Sequence, residues 1–263
     1  MAATIVENFN AGTFPGSASD TGWANAWSGG GGTSGLSSAN PINSSGSYYS
    51  FVSGSANVNY SIRRQLDSSI FNSTTPYTIS WDYRLDSDIS LFSGADHRIN
   101  FGSSANLNDS GSNASTGWLV GVKAQGYGGS ALNGYWFFYD HANPSSGLDG
   151  PYNESNMSST GILMEQGKVY SFTLEVDPAS KTYSASITVD GDPASTVTQT
   201  GLNFRNQTSN QSHLNLYMGQ FTTANEGFAS SLDNLTINAV PEPGRALLAF
   251  VSMGLLIFRR CRR

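Results

Sequence analysis

Between Tyr170 and Gly191 the chain alternates apolar and polar side chains with a period of two. Tyr170, Phe172, Leu174 and Val176 are separated by Ser171, Thr173 and Glu175. Asp177-Pro-Ala-Ser-Lys181 supplies turn residues, Tyr183, Ala185, Ile187 and Val189 resume the alternation, and Asp190-Gly191 turns the chain again. Residues i and i+2 of a strand share a face, so this stretch predicts an antiparallel meander with one buried face. Similar short runs, broken by Gly, Asn, Asp, Ser and Pro, predict further strands. They are Thr4–Phe9, Tyr48–Phe51, Asn57–Gln65, Tyr77–Leu85, Ala95–Phe101, Gly117–Val122, Gly134–Asp140, Ser195–Thr200, Leu214–Phe221 and Phe228–Ile237. No helical period occurs before the last two dozen residues. Gly29-Gly-Gly-Gly-Thr-Ser-Gly35 is expected to be a flexible loop, since it lacks the Lys-Ser/Thr of a phosphate cradle.

Composition sharpens this picture. Charged residues are 12% of the 263, about half the usual share, while Gly and Ser are abundant. Aromatics at 12% supply large buried areas and argue against disorder. The net charge of −6 conceals a split: the tail from Val240 holds five Arg and one Glu, leaving eight Lys+Arg against eighteen Asp+Glu in the body. A body at −10 cannot neutralise many phosphates, which excludes nucleic acid as an expected partner. The only Cys is Cys261, so the body has no disulfide framework and no thiolate chemistry.

The tail has three ordered parts. Pro241-Glu242-Pro243 is a rigid stop, because proline cannot donate to a strand ladder. Ala246–Phe258 is uncharged, and Arg259, Arg260, Arg262 and Arg263 close the chain around Cys261. Thirteen helical residues reach about 20 Å, short of a hydrocarbon core of about 30 Å. Arg245 and Arg259 are placed to snorkel and extend the span, and the Arg cluster favours the cytoplasmic side. This order resembles the PEP-CTERM sorting signal of Gram-negative bacteria. The resemblance covers residues 240–263. It implies a short transmembrane helix, recognition by an exosortase that cleaves near Pro-Glu-Pro, and passage through the inner membrane to the outer surface or exopolysaccharide matrix. Such a protein needs a signal peptide, and Met1–Glu7 has neither a basic nor an apolar region. The gene is therefore expected to start upstream.

The body, residues 1–239, reads as one all-β domain. The meander, the aromatic run Tyr135-Trp-Phe-Phe-Tyr139 and the closing Asp233-Asn-Leu-Thr-Ile237 resemble the concanavalin A-like (laminin G-like) fold, an antiparallel two-sheet jelly-roll sandwich. The resemblance implies that the first and last strands lie side by side. It also suggests a structural calcium ion at a sheet edge, with Glu7 and Asp233 as the carboxylates on offer; two ordinary surface carboxylates is the plainer alternative.

Catalysis finds little support. Retaining glucanases of this fold carry Glu-x-Asp-x-Glu on one strand, which sets an acid and a nucleophile about 5 Å apart. Asp82, Asp86 and Asp88 come nearest, and they read better as turn acids. His97, His141 and His213 show no metal spacing. No enzyme activity is expected. Sugar rings stack on exposed aromatics, and Trp23, Trp27 and Trp136 are the leading candidates, ahead of Tyr48, Tyr49 and Tyr127; the strand at 135–139 has aromatics on both faces, one of which must meet the core, and core packing is the plainer reading, as it is for Trp81 and Trp118. The sequence thus predicts an exported structural or adhesive protein of the bacterial surface or matrix. A lectin-like carbohydrate-binding module is the alternative, and a polysaccharide hydrolase or lyase the second.

Overall fold

Period-two alternation builds two antiparallel sheets whose apolar faces meet. The computed structural model describes residues 3–7, 9, 16–17, 20–30, 33–42, 46–52, 60–92, 97–104, 116–124, 132–141, 154–207, 215–221 and 228–240. Its strands are β1 (Thr4–Glu7), β2 (Ser28–Gly30), β3 (Thr33–Ser37), β4 (Tyr48–Val52), β5 (Tyr60–Gln65), β6 (Tyr77–Leu85), β7 (Arg98–Ser104) and β8 (Thr116–Lys123). They continue with β9 (Tyr135–Tyr139), β10 (Met157–Leu163), β11 (Val169–Asp177), β12 (Thr182–Val189), β13 (Asp192–Asn203), β14 (Asn215–Phe221) and β15 (Ala229–Ala239).

One sheet has eight strands in the order β13-β12-β11-β6-β15-β4-β3, with β1 also on β15; the other has seven, β10-β9-β8-β7-β14-β5-β2. The first and last strands pair as the sequence suggested, Ile5 opposite Ile237 and Glu7 opposite Leu235. The meander is also as expected. Tyr170 through Asp177 pair with Val189 through Thr182, and Lys181 and Asp190 take the left-handed conformation their turns require.

Between the sheets lies an aromatic core. Trp81 of β6 stacks on Phe172 at 5.0 Å and 19° and on Trp118 at 5.8 Å and 23°. Trp136 of β9 meets Phe172 and Tyr83 edge-on. Trp118 donates its indole N–H to Tyr77 Oη at 2.8 Å, so a polar group buried in this layer is satisfied. A second, smaller cluster of Leu119, Phe137, Tyr139 and Met157 lies on the opposite face of the seven-stranded sheet. All eight residues of β8 are buried.

Two expectations need correction. The glycine-rich stretch Gly29–Gly35 contributes to two strands, β2 on β5 and β3 on β4, because backbone pairing to a neighbour needs no side chain. The edge strand β10 was not expected at all. Its sequence Met-Ser-Ser-Thr-Gly-Ile-Leu lacks a clean period, and pairing to β9 holds it. Residues 241–263, which include Pro241, Glu242, Pro243 and the Arg cluster, lie outside the described residues. Among the described residues no helix is long and apolar enough to cross a membrane.

Candidate functional site

The three tryptophans offered as candidates for stacking on sugars are buried, which is the core alternative. Trp23 and Trp27 are 4% and 5% exposed, and Trp136 is fully buried in the core. Tyr48 and Tyr49 are also buried, and Tyr127 and His213 lie outside the described residues. What encloses Trp23 and Trp27 is Arg64. Its guanidinium carbon sits 4.3 Å from the Trp23 ring centroid and 5.9 Å from that of Trp27. The same group donates to Glu7 Oε2 (3.0 Å), Asp20 Oδ2 (2.5 Å), Asn25 O (2.8 Å) and Ser17 O (3.1 Å). Gly16 permits this wrap: its φ is +76°, and a Cβ there would stand 2.5 Å from Arg64 Nη2.

Glu7 is therefore committed to an ion pair. It also accepts from the Trp27 indole N–H (3.2 Å) and the Phe9 N–H (3.2 Å). Asp233 lies on the other face of β15, directly opposite Asp82 of β6. The two carboxylates do not share a site, so the suggested calcium pair does not fit. Among the described residues no group of three His, Cys, Asp or Glu is arranged to hold a metal.

Asp82 accepts from Ser171 Oγ (2.6 Å) and Asn234 Nδ2 (2.7 Å), the latter from a left-handed bulge position in β15. Asp86 is held by Arg84 (2.6 Å) and by Ser231. Asp88 caps a short 3-10 turn by accepting from Ser90 N–H (2.8 Å). These are structural roles. Burial pushes the Asp233 carboxyl up to about 6; the Asn234 N–H donated to it opposes this, and the Asp82 charge adds to it. The native state thus favours the protonated form. Its contribution is complete below the ordinary value of 3.8 and is lost as pH rises through about 6. Asp233→Asn is expected to gain about 1 to 2 kcal/mol over the parent at pH 7, allowing for solvent screening, and little at pH 4. Urea melts of both proteins at the two pH values check this; an unchanging difference would contradict it.

The outer faces of the two sheets differ in chemistry. That of the eight-stranded sheet carries hydroxyls in register, with Thr236, Ser80, Thr173, Ser186 and Thr198 in one row. The strands of this sheet contain Glu7, Asp82, Glu175, Asp177, Asp192 and Asp233 against Arg84 alone. The seven-stranded sheet has no Asp or Glu in any strand, and it holds Arg63, Arg64, Arg98 and Lys123. Ile99, Phe101, Val120, Val122 and Ile62 face the core, so Arg98, Lys123 and Arg63 occupy the outer face. Arg98 and Lys123 are directly opposite one another. Asn100, Gly121 and Phe137 form the adjoining row. A Cβ on Gly121 would stand 2.6 Å from Asn100 Oδ1 and 2.7 Å from Phe137 Cζ, so only glycine lets those side chains close over the strand. Arg205 adds a fourth cation to this side, 5.9 Å from the ring of Tyr139.

No protein-family model matches the chain, and no curated protein matches it in sequence. Solved structures do. A protein of unknown function from Shewanella oneidensis MR-1 superposes with a TM-score of 0.58 at 16% identity, over 90% of this chain and 86% of that one. The winged bean acidic lectin complexed with methyl-α-D-galactose gives 0.53 at 10% identity, over 92% and 100%. The catalytic domain of a glycoside hydrolase family 131 protein from Coprinopsis cinerea gives 0.51 at 11%, over 90% and 96%. What is shared is the fold. At these identities the likeness shows the two-sheet sandwich fold alone, and the structures that share it include a lectin and a glycoside hydrolase catalytic domain.

Proposed function

We propose that this is an exported protein of the bacterial surface or exopolysaccharide matrix, with a sandwich that binds polysaccharide and a C-terminal tail that is a sorting signal for an exosortase. The binding reading is carried by the fold, a two-sheet sandwich shared with a galactoside-bound lectin. The acids that come nearest to a catalytic pair, Asp82, Asp86 and Asp88, are engaged in structural hydrogen bonds, which favours binding over turnover. Affinity electrophoresis of the full chain through gels containing purified polysaccharides is expected to show retardation with at least one, and no release of reducing ends. Retardation by none, or sustained release of reducing ends, would contradict it. Trp23, Trp27 and Trp136 are unsuited as probes, since their substitution removes core.

The sorting reading rests on the ordered trio of Pro241-Glu242-Pro243, the apolar run 246–258 and the terminal Arg cluster. In a host with an exosortase, the mature protein is expected to end near the Pro-Glu-Pro triplet. Deleting the exosortase, or changing the triplet to alanine, is expected to leave the full chain in the inner membrane. Mass spectrometry of the C-terminal peptide decides, and an identical full-length C-terminus in both strains would sink the idea.

A further inference from the structure

At one end of the eight-stranded sheet, the ends of β6, β11 and β12 line a groove of about 430 Å³, a volume within the range of small-ligand sites. Pro76, Val176, Tyr183 and Val240 give it apolar walls. Thr78, Glu175 and Ser184 line it from three adjoining strands in register, a row about 10 Å long. Their neighbours Tyr77, Val176 and Tyr183 face the core, so the row belongs to the outer face. Glu175 is exposed and holds no hydrogen bond or ion pair among the described residues. Asp177 stands at the same end; one of its oxygens accepts from the Ala179 and Ser180 N–H groups and holds the turn, while its charge remains. Among the described residues no Lys or Arg lines the groove, and Lys181 in the adjoining turn donates to Gln207 O. Arg84, the one cation in the strands of this sheet, is bound to Asp86 and to the Asn40 and Pro41 carbonyls.

We infer that this groove seats an amine-bearing polysaccharide, a sugar chain whose ammonium group meets the Glu175 carboxylate. This inference rests on the polysaccharide-binding reading and adds a site and a ligand class to it. Charge decides the class. A neutral sugar covering Glu175 would strip water from a carboxylate without giving it a partner, which is costly. An anionic sugar is repelled by Glu175 and Asp177 together. A protonated amino sugar gives the carboxylate a charge-assisted hydrogen bond. Its ring then lies against the apolar walls, and its hydroxyls are in reach of Thr78 and Ser184. The row is longer than one ring, so it suits consecutive sugars of a chain. The acidic body draws such a polymer in.

The test uses the full chain with a soluble glucosamine polymer, the same polymer fully N-acetylated, dextran and polylysine, at mildly acidic pH where the amines carry protons. Binding to the amine polymer is expected to exceed that to its N-acetylated form at least tenfold and to weaken severalfold with added salt. Glu175→Gln is expected to lose most of that preference, with a melting temperature near the parent's because the side chain is exposed. Glu165→Gln removes the same unit of charge from an exposed position outside the groove and is expected to keep the preference. Equal binding of the amine and N-acetylated polymers, an unchanged preference in Glu175→Gln, or an equal loss in both variants would overturn the assignment and leave polysaccharide binding standing. Polylysine bound as tightly as the amine polymer would overturn it in favour of unselective polycation attraction. Binding to no polymer of this set overturns the inference, and binding to none in the affinity gels as well overturns both readings.

Discussion

Replacing Arg64 with alanine is expected to destabilise the sandwich by about 3 to 5 kcal/mol, the range for removing one partner of a buried ion pair. The Arg64 side chain is fully buried and Glu7 is 8% exposed, so the carboxylate left behind could not recover its hydration. Among the described residues, the Trp27 indole N–H and the Phe9 N–H would remain to it. Two carbonyls, Asn25 O and Ser17 O, would also lose their donor. The loss should be local as well as global, because Arg64 ties β1, the segment at residues 16–25 and β5 together. A second substitution separates charge from volume. Arg64→Met alone should stay strongly destabilised, whereas Arg64→Met with Glu7→Gln should recover much of the loss, since no unpaired charge then remains. Denaturant unfolding of the parent, both single variants and the double variant measures this. A loss under about 1 kcal/mol in Arg64→Ala would show that the clasp is incidental.

Trp81→Ala is expected to cost about as much, roughly 3 to 5 kcal/mol, by a different route. Trp81 touches both sheets: it stacks on Phe172 in its own sheet and packs against Trp118 and Phe101 from the other. Truncation opens a cavity at the centre of a layer shared with Phe101, Trp118, Phe172, Trp136 and Tyr83, and a sandwich pinned on both sides by strand pairing collapses into such a space poorly. Trp81→Phe should cost much less. It keeps a ring in the stack and removes an indole N–H that has no partner among the described residues. Thermal and chemical melts of the two variants check the order. A phenylalanine variant as unstable as the alanine one would show that shape, not area, governs the layer.

Several features were readable before any coordinates. The alternation from Tyr170 to Val189 placed every inward residue of β11 and β12, because a strand has only two faces and only one was apolar. The Asp-Pro-Ala-Ser-Lys and Asp-Gly turns were equally plain. The aromatic run at 135–139 announced a strand with rings on both faces, and both faces are buried: Trp136 and Phe138 in the main core, Phe137 and Tyr139 in the smaller cluster. Other features were not readable. Trp23 and Trp27 sit among glycines and small polar residues, which is why exposure was expected. Their cover is a guanidinium some forty residues away in sequence, and no local pattern signals a contact of that kind. Glu7 and Asp233 were correctly placed on adjoining strands, but register and the bulge at Asp233–Asn234 turn them to opposite faces.

The sequence by itself determined the class of the fold, the meander, most strand positions and the acidic body, because those follow from period, turn chemistry and composition. It also supplied the ordered tail motif on which the sorting proposal rests. Tertiary structure alone decided the rest. Arg63 and Arg64 are neighbours of one kind, yet the pleat sends one outward and the other into a buried clasp. Nothing in the one-dimensional order of charges shows that the cations gather on one sheet and the acids on the other. Sheet membership is fixed by which strands pair across long stretches of chain, and only that pairing turns a scattered set of Lys and Arg into one face.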